Sequence, residues 1–315
     1  MKDKSTPKVK EKYKIENWSS YNEALKSRGS ITIWMSQQAI DTWAYQEERE
    51  PGGKIIYSDS AIQTCLMIRK VFHLPLRQTE GFVSSLFERL GIKCSVPDYS
   101  TLCKRAGKLK IKLTNWKVKG NIDIVIDSTG LKVYGEGEWK VRKHGWSKHR
   151  TWRKLHIGVD FRTHEIVSGE LTENKVDDAA MVGSLIGAGA EHISSVAGDG
   201  AYDKSKSRKQ LHGNNIEQII PPPCNAVLSK DKPPELFSRD AAIKRIAEIG
   251  REEWKKEIGY HRRSIAEVAM FRYKTILGDK LRSRKFDNEK TEAIIGCVIL
   301  NKMTELGMPI SRKAA

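Results

Sequence analysis

Three acidic residues stand out by their surroundings. Asp127 closes an alternating apolar run, Ile122-Asp123-Ile124-Val125-Ile126, and is followed by Ser128-Thr129-Gly130. Asp199 closes a second run, in Gly198-Asp199-Gly200-Ala201-Tyr202-Asp203. Ligand sites gather at the C-terminal ends of strands in α/β sheets. Each Asp taken singly reads better as a turn or cap residue. Glu267 belongs instead to a helical stretch, with Tyr260, Arg263 and Lys274 around it. At roughly 100° per residue, these four side chains fall within an arc of about 60°. Such a face offers a carboxylate beside cationic and phenolic groups. A solvated Arg263–Glu267 pair at i,i+4 has the same spacing and, taken alone, is the better reading.

The elements that must hold these residues change character near residue 120. Ile122, Ile124 and Ile126 alternate as a strand expected to end at Asp127. Residues 152–161 and 164–172 read as two further strands, Ser195 to Gly198 as a fourth and Gln218 to Ile220 as a fifth, halted by Pro221-Pro222-Pro223. Asp177 or Asp178 caps a helix through Leu185, and helices fill 238–277 and 288–305. Three strands in series followed by alternating helix and strand fit an α/β fold: a ribonuclease-H-like mixed sheet flanked by helices. Before it, residues 58–110 read as three helices, the first capped by Ser58 or Ser60, the second closed by Gly91 and the third opened by Asp98. The third carries Lys104 and Arg105, which suits a helix-turn-helix-like DNA reader as well as it suits a plain helical bundle. The expected organisation is a basic flexible arm (1–16), a small all-helical DNA-binding region (17–118), a catalytic domain (119–305) and a tail (306–315).

The chain resembles the bacterial insertion-sequence DDE transposases. Tyr260-x2-Arg263-x3-Glu267-x6-Lys274 is similar to that family's helix signature at every position. Ile126 through Gly135 and Gly198 through Asp203 resemble its first and second acidic motifs. Glu138-Trp139-Lys140 with Lys143-His144-Gly145 points to the insertion-sequence-five group, and Asn17-Trp18, Arg28-Gly29-Ser30 and Leu74-Pro75-Leu76-Arg77 extend the likeness towards the N-terminus. The resemblance implies two Mg²⁺ per active site, replaceable by Mn²⁺, about 3.5–4 Å apart. It implies Asp127, Asp199 and Glu267 as their ligands, Asp127 bridging both ions. Hard divalent cations prefer such oxygen donors. Hydrolysis frees a 3′-hydroxyl at the element's end, and that hydroxyl then attacks target DNA. Arg263, Lys274 and Tyr260 are the implied phosphate neighbours. Double-stranded DNA, as terminal inverted repeats and as target, is the implied partner, bound by a homodimer or higher multimer. A non-catalytic DNA-binding regulator and a ribonuclease-H-like nuclease without joining activity are the rival readings.

Composition agrees with a polyanionic partner. Fifty-six Lys and Arg against thirty-nine Asp and Glu leave a net charge of +17 in 315 residues. The segment 132–154 is dense in cations, with Trp139, Trp146 and Trp152 interleaved; Lys140, Arg142, Lys143, Lys148 and Arg150 are its candidate phosphate contacts. The five cysteines form no C-x-x-C pair, which argues against a disulfide framework or a zinc site. No histidine joins a Ser or Cys in a recognisable nucleophile motif, so triad chemistry is not expected. The charged N-terminus lacks a signal peptide's apolar segment and no run is long enough to span a membrane, so a cytosolic location is expected. Asp123 and Asp203 are rival acids: Asp123 is expected at the outer end of its strand, Asp203 as an organiser of its loop.

Overall fold

The computed structural model describes residues 13–46, 55–114, 116, 120–133, 152–231 and 233–313. Its centre is a five-stranded sheet in the order β4-β3-β2-β5-β6. The strands are β2 (Ile122–Lys132), β3 (Trp152–Asp160), β4 (Ile166–Glu173), β5 (Ile193–Ala197) and β6 (Glu217–Ile219). β2, β3 and β4 are antiparallel neighbours, whereas β5 and β6 run parallel to β2. This is the mixed sheet expected from the strand pattern.

Alternation along β2 divides the core. Ile122, Ile124 and Ile126 face a layer containing Val182, Leu185, Ile186 and Leu211. Those residues come from α7 (Val182–Ile186) and α8 (Ser205–Gly213). Val125 and Leu131 face the opposite layer, with Ala266, Ala269 and Met270 of α11 (Ser264–Arg272). Successive side chains on a strand point to opposite faces, so Asp127 shares the face of Val125 and looks towards α11.

β2 runs past the expected end. Ser128 through Lys132 pair with His156 through Trp152, so Asp127 lies within a strand. The apolar alternation stops at Asp127, but the antiparallel ladder with β3 does not. On the parallel side the ladder does stop: Val125 pairs with Ala197, and β5 ends there. The sheet is thus open beside Asp127.

The single helix expected over 238–277 is broken. It divides into α9 (Phe237–Ile249), α10 (Arg251–Glu257), a 3₁₀ turn (Tyr260–Arg263), α11 and a π-helical turn (Tyr273–Leu277). Gly250 at φ +84° and Gly259 at φ +64° make the breaks, in a backbone region that glycine enters without a Cβ clash.

The long α12 (Phe286–Leu306) joins the sheet to the N-terminal helices. Asn301 accepts a hydrogen bond from the Ile166 N–H at 2.8 Å and donates one to the Ile166 carbonyl at 2.8 Å, occupying both polar groups of an edge-strand residue. The three helices expected before residue 110 are present as α4 (Asp59–Val71), α5 (Leu76–Leu90) and α6 (Tyr99–Ala106). Ser58 caps α4 by accepting from the Ala61 N–H, Gly91 at φ +67° closes α5, and Asp98 caps α6. The shorter α1 (Trp18–Ser27), α2 (Ile31–Trp34) and α3 (Gln37–Asp41) precede them. This region shares its core with α12. Lys70 and Glu292 form a buried ion pair at 3.2 Å, and the Thr291 hydroxyl donates to the Ala106 carbonyl at 2.7 Å.

One expected flexible segment needs correction. Within the arm, Tyr13–Ile15 forms β1, which pairs antiparallel with β7 (Ser311–Lys313) from the tail. Lys and polar residues gave no sign of folding, because this pairing is between segments at opposite ends of the sequence. Residues 1–12 of the arm lie outside the described residues.

Candidate active site

The carboxylates converge at the open edge of the sheet. Asp127 comes from β2, half-buried, its Oδ1 accepting from the Ser128 N–H at 2.8 Å. Asp199 follows β5 by two residues and caps the 3₁₀ turn Gly200–Tyr202, its Oδ1 accepting from the Ala201 N–H at 2.8 Å. Its other oxygen, Oδ2, lies 3.9 Å from Arg263 Nη1. Capping and the Arg263 contact therefore coexist in one residue. Glu267 pairs with Arg263 one turn before it. Ala266 and Ala269 let α11 pack closely on the sheet, and the Glu267 charge acts on Asp127 from that helix.

Electrostatics link all three acids. Burial raises the Asp127 carboxyl above the usual range, and the charges of Asp199 and Glu267 push it further, against the Ser128 N–H and Arg263. Burial also raises the Tyr260 phenol, with Asp199, Glu267 and Asp127 adding to the rise and Arg263 opposing it. The site thus holds three carboxylates around one guanidinium. Among the described residues no three acidic, His or Cys side chains stand together as a finished metal cage. The donor set nevertheless fits a hard divalent cation: all donors are oxygen, and Arg263 is a cation already seated between two of them. A desolvated carboxylate amid like charges is the group that gains most from added positive charge.

The remaining expected site residues separate. Tyr260 lies beside the acids, with Lys255 over its ring at 5.4 Å. Lys274 falls in the π turn, whose wider turns carry it out of the 100° phasing. Its charge acts on Asp279, which Lys132 holds at 2.7 Å. Lys104 is exposed on α6, but Arg105 is committed internally, donating to the Tyr57 carbonyl at 3.0 Å and to Asp59 at 2.5 Å. Lys140, Arg142, Lys143, Lys148 and Arg150 lie outside the described residues.

The rival acids have structural partners. Asp123 accepts from the Ser195 hydroxyl at 2.7 Å and lies 3.9 Å from Arg262, towards the outer end of β2. Asp203 is buried between Arg208 at 2.5 Å and Arg239 at 3.1 Å. A polar group that the motifs do not reveal sits behind the acids, on the other face of the sheet. His156 Nδ1 lies 3.5 Å from Asp178 Oδ1, and Lys154 Nζ lies 3.1 Å from the same oxygen. Tyr202 is buried nearby, and burial, Asp178 and Asp127 together hold its phenol protonated. Only Tyr202 had a sequence signal, its place in the Asp199 motif.

Comparison with known proteins gives the family. Residues 119–302 match a family described as Transposase DDE domain, and residues 26–136 match a second family with the same description. The chain belongs to the DDE-domain transposases. It is a metal-dependent DNA transposase that binds DNA. Among solved structures it is similar to piggyBac transposase in a synaptic complex with hairpin DNA, at 11% identity and a TM-score of 0.39, over 89% of this chain and 76% of that one. No helix among the described residues is long and apolar enough to cross a membrane.

Proposed function

We propose that Asp127, Asp199 and Glu267 hold two Mg²⁺ ions, and that the chain uses them to cut the ends of an insertion sequence and join those ends to target DNA. Mn²⁺ can replace Mg²⁺ in an all-oxygen site of this kind. The observation that carries the reading is Arg263, which reaches Asp199 and Glu267 beside a desolvated Asp127. Bound ions would activate the attacking oxygen and stabilise the leaving one. Arg263 leaves the carboxylates free for metal when its guanidinium turns to a phosphate, for which its fork of donors is suited. Tyr260 packs against the DNA backbone at the same place. Lys274 and Lys132 continue the cationic surface beyond the acids. Cleavage and joining are both in-line displacements at phosphorus, so one site serves both.

The rest of the assignment extends this reading. Residues 17–118 bind the terminal inverted repeats, Lys104 among the contacts, and residues 119–305 carry the chemistry. Lys140, Arg142, Lys143, Lys148 and Arg150 contribute phosphate contacts. Two ends are processed together, which calls for a homodimer or a larger assembly in the bacterial cytosol. The Glu138-Trp139-Lys140 motif favours the insertion-sequence-five group.

The test is cleavage of a labelled duplex bearing the element's own end, with Mg²⁺, by the wild type and Glu267→Gln. The wild type nicks at the end and stops when the metal is chelated. The variant binds the duplex equally well but cuts at least about a thousandfold more slowly, the scale on which transition-state charge stabilisation acts. Undiminished cutting by the variant would remove Glu267 from the site.

A further inference from the structure

The helix that carries Glu267 also carries an apolar surface left exposed among the described residues. Ala266, Ala269 and Met270 fill its inner face. Phe271 and Val268 point outward, 69% and 46% exposed. Phe271 lies one turn beyond Glu267, about 40° around the helix and roughly 6 Å along it. Large apolar groups grouped at a functional edge mark a contact surface.

Placement and charge identify the contact. α11 runs alongside β2, with Arg262 3.9 Å from Asp123 at one end and a backbone bridge between Lys132 and Lys280 at the other. Phe271 therefore stands between the acids and the cations Lys274 and Lys132. A surface with carboxylates for metal on one side and cations on the other suits a nucleic acid strand. Adjacent base pairs are about 3.4 Å apart, so the ring lies about two base steps from a phosphate held at Glu267. Aromatic rings stack on any exposed base, and apolar wedges enter loosened base steps.

We propose that Phe271, flanked by Val268, stacks on a nucleobase about two base steps from the scissile phosphate and holds the end of the duplex open for cutting. The proposal rests on the assignment of Asp127, Asp199 and Glu267 as the cutting site.

The experiment compares two Mg²⁺-containing reactions in single turnover. One duplex carries the element's end fully paired; the other has the same sequence with the base pairs flanking the scissile phosphate mispaired. Phe271→Ala should cut the paired end about ten- to hundredfold more slowly than the wild type, the range expected for one lost base stack. It should recover to within about threefold on the mispaired end, where opening is already done. Phe271→Trp should cut both ends at nearly the wild-type rate. The thermal midpoint of Phe271→Ala should match the wild type, because so exposed a ring contributes little to the core. Equal rates for Phe271→Ala and wild type on the paired end would overturn the proposal. So would an equal deficit on both ends, and a deficit that accompanies a change in sedimentation would assign Phe271 to contact with a second copy. Glu267→Gln is measured on both duplexes alongside. If it cuts, the acid assignment falls; if it is inactive on both while mispairing fails to rescue Phe271→Ala, the stacking role alone falls.

Discussion

Asp199 and Asp203 belong to one short motif and both meet guanidinium groups, yet their surroundings are opposite. The Asp203 side chain is 2% exposed and is shared by Arg208 and Arg239, and Arg239 also lies 3.6 Å from Asp240, so cations and acids balance. The Asp199 side chain is 39% exposed and shares Arg263 with Glu267, with Asp127 close by, so acids outnumber the cation. The first arrangement satisfies its own charges and is closed to solvent. The second is open and short of positive charge. Identical residue types thus make a structural brace in one place and a receptive site in the other, and the difference lies in the ratio of charges and in access.

The same substitution at the two positions should have opposite consequences. Asp203→Asn leaves the buried Arg208 guanidinium without its carboxylate and Arg239 with Asp240 alone. It should cost about 3–5 kcal/mol in urea unfolding, the usual consequence of removing one partner of a buried ion pair. Asp199→Asn should keep the wild-type unfolding midpoint and abolish metal-dependent cutting. Asp199→Asn that unfolds as readily as Asp203→Asn, or Asp203→Asn as stable as the wild type, would erase the contrast.

His156 sharpens the comparison with a buried group that carries no full charge of its own. It is completely buried, with Nε2 2.9 Å from the Thr172 hydroxyl. Burial pushes its pKa from 6.5 down to about 4, against the pull of Asp178. Below pH 6.5 the unfolded chain takes up a proton that the folded chain refuses until about pH 4. The unfolded state binds more protons across that window, so stability falls as pH falls through it. Unfolding free energy measured from pH 7 to 4 should show this slope, and His156→Gln should reduce it. An unchanged slope in the variant would assign the acid sensitivity to other groups.

The order of strands was legible because apolar alternation and proline or glycine punctuation are local signals. Alternation could not show that β2 continues past Asp127, since Ser128 through Lys132 are held by pairing with β3 and not by their own apolar pattern. Nor could helical phasing foresee the breaks at Gly250 and Gly259 or the π turn at Tyr273–Leu277, which place Tyr260, Arg263 and Glu267 together and set Lys274 apart. The three acids were legible only as a set. Each alone suits a cap or a surface pair, and Asp199 and Glu267 do make those ordinary contacts as well. The His156–Asp178 contact was invisible because it joins β3 to a turn after β4 and follows no short-range spacing.

The smallest expected effect tests whether the contrast between open and closed charge extends to the N-terminal helices. Lys104 and Arg105 are neighbours on α6, equal in formal charge. Arg105 is spent on Tyr57 and Asp59, tying α6 to the start of α4, while Lys104 faces solvent. A phosphate contact releases counterions, so each one steepens the fall of affinity with salt by about one unit of logarithmic slope. Lys104→Gln should weaken binding to the element's end and lower that slope by about one unit. Arg105→Gln should leave the slope unchanged, because its guanidinium already has protein partners and has no phosphate to release. Equal losses of slope for the two variants would mean that Arg105 abandons Asp59 on binding DNA. Internal pairing in the free protein would then not suffice to tell a brace from a contact.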